Sequence, residues 1–125
     1  MNDDVIEMHG LRVLLFAGEG DKLAAARDAN TFLSETWSQD ATLAVIPVSR
    51  LGDDFLDLKT RIAGEVIQKF VNYQIRLAIL GDISTWADTS KPLRDFVYET
   101  NRGRSLWFIR DLAELEQRLV IHAAG

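Results

Sequence analysis

No cysteine occurs anywhere in the 125 residues, which excludes disulfides, thiolate metal sites and cysteine nucleophiles. Long apolar runs are missing too: none approaches the roughly 20 residues that a helix needs to cross a bilayer. The opening MNDDVIEMHG is acidic where a signal peptide is basic and then apolar. The cytoplasm is therefore the expected compartment, with no membrane as partner. Positive charge is in short supply as well: 14 Lys and Arg stand against 19 Asp and Glu, a formal charge of −5. A chain of that sign repels phosphate backbones unless a dense basic stripe reverses the field locally. The densest basic group, Arg102, Arg104 and Arg110 with Arg94 before them, reads as residues on solvated turns and faces, so no nucleic acid is expected. Repeats, low-complexity tracts and Pro/Gly-rich linkers are absent, and residues 1–125 read as one domain. That length suffices to bury a continuous core without covalent staples.

Catalytic vocabulary is equally thin. Gly-x-Ser-x-Gly does not occur, and Gly18-Glu19-Gly20-Asp21 fits no phosphate-loop or dinucleotide pattern, because Glu19 would repel a phosphate. His9 falls in a turn between two short strands and His122 near the tail, neither beside a nucleophile in sequence. No cofactor is implied, and the expected function is not enzymatic.

What is present is an alternation of apolar strands with amphipathic helices. Residues 5–8 and 12–17 read as strands parted by His9-Gly10, a two-residue break that suggests a hairpin and an antiparallel edge strand. Residues 21–37 have helical spacing, with Leu23, Ala26, Asn30, Leu33 and Trp37 on one stripe. Asn30 interrupts that stripe, as a ligand-reaching group or as an asparagine bonded to neighbouring backbone. Residues 41–48 form a continuous apolar run, as in a strand covered on both faces, which Pro47 ends by lacking an N–H. A loop (49–54), a helix (57–73) and a second apolar strand (75–80) follow.

After the loop ISTWADT, Ser90 is a good N-cap with Pro92 in the first turn of a helix that buries Leu93, Phe96 and Val97. Residues 105–109 give the last strand, and Asp111 with Glu114 makes a capping-box-like start to a last helix. The order β-β-α-β-α-β-α-β-α implies an α/β fold: a mostly parallel five-stranded sheet with an N-terminal antiparallel edge strand and about four helices. Right-handed crossovers place helices over its faces, and ligands or partners usually dock at the carboxyl ends of the strands.

On residues 57–73 the apolar stripe is Leu58, Ile62, Ala63, Val66, Ile67, Phe70 and Val71. Arg61–Glu65 and Glu65–Lys69 are spaced as i,i+4 pairs. Gly64 costs about 1 kcal/mol relative to alanine inside a helix. It is read either as close packing of helix on strand or as room for a partner's backbone, the first being favoured. Asp53, Asp54 and Asp57 lie just upstream. Asp57 as N-cap, bonding the N–H of Lys59 or Thr60, is one use; a divalent-cation or acid–base cluster is the other.

The run FLDLKTRIAGEVIQKFVNYQIRLAILGD, followed by KPLRDFVYETNRG, resembles a family of small bacterial proteins known as domain of unknown function 4180. The Ala-Gly-Glu and Gln-Lys-Phe steps carry most of that resemblance, which spans roughly residues 53–108; Arg61 departs from it where a glycine is usual. The broader layout is similar to the STAS domain of sulfate transporters and anti-sigma factor antagonists. In that likeness Asp57-Leu58-Lys59-Thr60-Arg61-Ile62 stands where STAS domains carry an Asp-Ser-Ser-Gly-Leu-like motif. The similarity implies a partner-binding edge and offers Thr60 as a hydroxyl that a phosphate could switch.

The expected function is thus a regulatory or protein-interaction domain working through residues 49–61 and 83–89, with Asp57, Thr60, Arg61 and Trp86 as candidate residues. Trp86 is an interface anchor in that reading, or else folds back onto the domain. The alternative is a small-molecule or divalent-cation site, even an enzymatic one, on Asp53, Asp54 and Asp57. Self-association as a homodimer through the edge hairpin is a further option.

Overall fold

The computed structural model describes residues 3–124, with side chains through residue 121. The described residues form a five-stranded sheet and five α-helices. The strands are β1 (Asp4–Met8), β2 (Leu11–Leu15), β3 (Leu43–Pro47), β4 (Arg76–Leu80) and β5 (Leu106–Ile109). The helices are α1 (Ala29–Ser38), α2 (Ile62–Asn72), α3 (Ser84–Ala87), α4 (Lys91–Asn101) and α5 (Leu112–Ala124). The strands lie in chain order, β1-β2-β3-β4-β5. Only the β1–β2 pair is antiparallel, with Met8 opposite Leu11 across a turn in which His9 (φ 49°) and Gly10 (φ 84°) are both left-handed. That is the primed turn whose twist matches paired strands.

A sheet that always steps the same way, with right-handed crossovers, sends every crossover helix to one face. Accordingly Leu14, Phe16, Ala44, Ile46, Leu77, Ile79, Leu106 and Phe108 join one cluster with Phe32 and Leu33 of α1, Val66 and Phe70 of α2, and Leu93 of α4. The opposite face presents Val13, Leu43, Val45, Ala78, Trp107 and Ile109, covered by Leu115 and Leu119 of α5 and flanked by Ile6 and Met8 of β1. The sequence had predicted helices over both faces without assigning them. Three long crossover helices, α1, α2 and α4, take one face with the short α3 beside them, and α5 takes the other.

Caps read from the sequence do their expected work. The N–H of Leu93 donates to Ser90 Oγ at 3.2 Å, and that of Glu114 to Asp111 Oδ1 at 2.8 Å. Glu114 Oε1 in turn accepts from the N–H of Arg110 at 2.8 Å, one residue before a standard capping box would have it. On the free rim of β5, the side chain of Asn101 accepts from the N–H of Phe108 at 2.7 Å and donates to its carbonyl at 3.5 Å.

Other expectations are corrected. The helix expected over residues 21–37 begins only at Ala29, after a 3-10 turn at Ala26–Asp28. Asp28 Oδ2 accepts from the N–H groups of Ala24 and Ala25, which holds the chain extended there. Leu23 instead forms a parallel bridge with Leu51. The buried stripe is Ala29, Phe32, Leu33 and Thr36, so Trp37, 72% exposed, points outward. Asn30 bonds no neighbouring backbone; its Oδ1 takes a long hydrogen bond from Lys69 Nζ of α2, at 3.5 Å. Among the described residues neither Lys69 nor Arg61 pairs with Glu65, and Val71 is exposed rather than on the buried stripe. A fifth helix, α3, occupies part of the segment expected to be loop.

Candidate functional site

The carboxyl ends of β2, β3 and β4 carry three loops that lean on one another. The loop after β2 is stitched to the one after β3 by backbone bonds: Leu23 N–H to Arg50 O at 2.6 Å, and Gly52 N–H to Leu23 O at 2.9 Å. A Cβ at Gly52 would stand 2.6 Å from Ala24 Cα, so only glycine permits this approach. Ser49 Oγ donates to Gly18 O at 2.6 Å, and Lys22 Nζ donates to Ser49 O. The loop after β4 begins at Gly81, whose Cα faces the Val48 side chain.

Arg50 centres this arrangement, and sequence reasoning missed it. Only 8% exposed, its Nε donates to Asp21 O at 2.7 Å and its Nη1 to Ala17 O at 3.0 Å. Its guanidinium lies 5.0 Å from the centroid of Phe32 and 6.0 Å from that of Phe16. Carbonyl dipoles and ring faces thus take the place of a carboxylate partner. The only signal in the sequence is its position three residues past Pro47, the end of β3.

Further along, Phe55 and Leu56 are buried and anchor the acidic stretch, leaving Asp53, Asp54 and Asp57 exposed. Asp57 Oδ1 accepts from Lys59 N–H at 3.2 Å and caps a 3-10 turn at Leu58–Thr60, which is the capping use expected of it. Among the described residues no three His, Asp or Glu side chains gather as a metal site would require. The hydroxyl of Thr60 is shared between Asp57 O (2.7 Å) and Asp54 O (3.0 Å), and it accepts from the N–H of Ile62 at 3.3 Å. Thr60 therefore fastens the turn to the first residue of α2.

Between the turn and α2 sits Arg61, with φ 63° and ψ 7°, a left-handed conformation that an L side chain strains to adopt. This break is why the helix expected from residue 57 starts at Ile62. A glycine would enter this region without penalty.

The favoured reading of Gly64 is overturned. It is exposed, and among the described residues no atom beyond its own stretch of helix lies within 4 Å of where its Cβ would stand. It lines a groove of about 490 Å³ between α2 and α4, together with Leu58, Arg61, Glu65, Gln68 and Phe96.

On the neighbouring loop, Asp82 Oδ1 accepts from Ser84 N–H at 2.8 Å, and this bond, with one from the Ser84 side chain, lowers the Asp82 pKa below its usual 3.8. Trp86 on α3 is 38% exposed, while Ile83 and Ala87 pack inward on the core. Arg61, at the entrance to α2, and Trp86, on α3, thus stand on separate elements, each near α4: Arg61 shares a groove with Phe96, and α3 packs on α4.

A model of the family described as domain of unknown function (DUF4180) matches residues 8–119. No curated protein and no solved structure matches the chain. Among the described residues, no helix is long and apolar enough to cross a membrane.

Proposed function

Because the chain belongs to the DUF4180 family, whose model covers nearly all of it, we propose that it is a non-enzymatic, cytoplasmic regulatory domain that works by binding a helix of a partner protein. The observation that carries this reading is Gly64. A glycine inside a helix costs about 1 kcal/mol relative to alanine, and nothing within the domain occupies the space it leaves open. A partner's backbone approaching α2 is what such a gap admits. The groove around it offers apolar flanks in Leu58 and Phe96 and polar contacts in Arg61, Glu65 and Gln68, the mixture that helix-in-groove recognition uses.

The STAS-like layout expected from the sequence would put a partner-binding edge at the turn of residues 57–61, from which Leu58 and Arg61 line this groove. Regulation enters through Thr60. A phosphate there could no longer donate to the Asp54 and Asp57 carbonyls, so the modification would loosen the entrance to the groove.

The test compares Gly64→Ala and Gly64→Arg with the wild type. Gly64→Ala should raise unfolding free energy by about 0.5–1 kcal/mol. Gly64→Arg should fold normally yet lose a partner that is recovered by the wild type and then purified. If that partner binds Gly64→Arg as tightly as wild type, the groove is not the docking surface. If the partner is a second copy of the chain, light scattering will show a wild-type dimer that Gly64→Arg splits.

A further inference from the structure

A second cleft, of about 510 Å³, opens on the other side of α4. Its apolar floor is Ile83, Ala87 and Val97, and three arginines line it: Arg94 and Arg102 from α4 and its end, and Arg118 from α5. In the sequence these residues are spread over 25 positions among the scattered basic groups of an acidic chain. The fold gathers them.

No carboxylate pairs with Arg94 or Arg102 among the described residues. Arg94 Nη1 donates to Ala87 O at 2.7 Å and Asp88 O at 3.3 Å, which fixes the stem and leaves most of its five donors unspent. The Arg102 guanidinium lies 5.6 Å from the centroid of the Tyr98 ring, a cation–π contact at the cleft. Arg118 donates from Nη1 to Asn101 O at 3.0 Å, while its Nε is buried with no hydrogen-bond partner. One carboxylate, Glu114, stands at Arg118 Nη2 at 3.5 Å, and it is divided with Arg110 Nε at 3.7 Å. Arg102 alone would be explained by the negative end of α4. Arg118 comes from α5 on the other face of the sheet; its bond to Asn101 O meets the last carbonyl of α4, and its guanidinium lies 5.9 Å from the Trp107 ring, which leaves Arg94 and Arg102 as the freer forks of the cleft.

We propose that this cleft binds a small organic anion, a phosphate or carboxylate head held by the arginine forks with an apolar body lying on Ile83, Ala87 and Val97. Planar guanidinium groups match both heads bidentately. A polyanion is disfavoured by the −5 charge of the whole chain. The site is distinct from the α2–α4 groove and stands whether or not that groove binds a partner.

The experiment is a titration of the full chain, followed by amide chemical shifts, with phenyl phosphate, benzoate, inorganic phosphate and benzyl alcohol. The expected result is saturable movement of the Ala87, Val97 and Asn101 amides with phenyl phosphate or benzoate. The stronger of these two identifies the head group. Arg102→Met should weaken that binding by about tenfold, as loss of one charge-assisted fork implies, with its melting temperature unchanged. Arg94→Met serves as the second variant.

Absence of saturable movement with either anion overturns the proposal, as does equal binding by the Arg94→Met/Arg102→Met double variant. Inorganic phosphate binding as tightly as phenyl phosphate overturns the organic part, and benzyl alcohol binding as tightly overturns the anionic part.

Discussion

On one face of the sheet three crossover helices share the apolar burden; on the other α5 carries it with help only from the hairpin. Phe32, Phe70 and Leu93 come from three different helices and meet in one cluster, so each helix is held by its neighbours as well as by the strands. Across the sheet, Leu115 and Leu119 of a single helix lie against Val13, Leu43, Val45, Ala78, Trp107 and Ile109. Cooperative burial protects the first face. The second depends on one element and on the large Trp107, whose indole N–H donates to Gly103 O at 2.8 Å.

The largest effect should come from Trp107→Ala, which opens a cavity beneath α5 and leaves a carbonyl without its donor. It should cost about 3–5 kcal/mol in urea unfolding, against about 2–5 kcal/mol for Leu93→Ala on the three-helix face. Hydrogen exchange sharpens the contrast. Amides of α5 should exchange through an opening well below the global unfolding free energy, while those of α2 should not. Equal protection of the two helices would dissolve the distinction between the faces.

A smaller effect lies at the entrance to α2. Arg61→Gly should stabilise the fold by about 1 kcal/mol, by relieving the left-handed backbone, measured as a shift in denaturation midpoint at unchanged slope. No gain would mean that the Arg61 side chain offsets its own strain.

The smallest effect concerns Asp82, which is fully exposed. Its folded pKa is depressed by the bonds to Ser84, so its contribution is present above 3.8 and is lost as pH falls through the lowered value. Asp82→Asn should therefore differ slightly from wild type near neutrality and converge with it in acid. Divergence in acid would reverse the sign.

Local signals in the sequence were legible. The His9-Gly10 turn, the stop at Pro47 and the caps at Ser90, Asp57 and Asp111 all involve groups a few residues apart, and each lies where the pattern put it. The family resemblance was legible too. Misreadings arose where distant contacts decide. Leu23 fits a helical stripe by spacing, but its backbone is taken by Arg50 and Gly52, so the helix starts later and in another phase. Arg61 carries a backbone angle that no side-chain pattern reveals. Arg50 looks like a solvated loop residue until two phenylalanine rings and two carbonyls enclose it. Candidate residues chosen by type gave a similar lesson. Asp53, Asp54 and Asp57 are close in sequence yet do not converge, while Arg94, Arg102 and Arg118 are distant in sequence and do.

The amide of Asn101 acts at β5 as a further strand would. Occupying both the N–H and the carbonyl of Phe108, it stoppers one rim of the sheet with a side chain in place of a strand. The opposite rim, at β1, carries no such side-chain plug among the described residues. A second copy that added itself at β1 would meet its own equivalent rim, so pairing there would end in a closed pair.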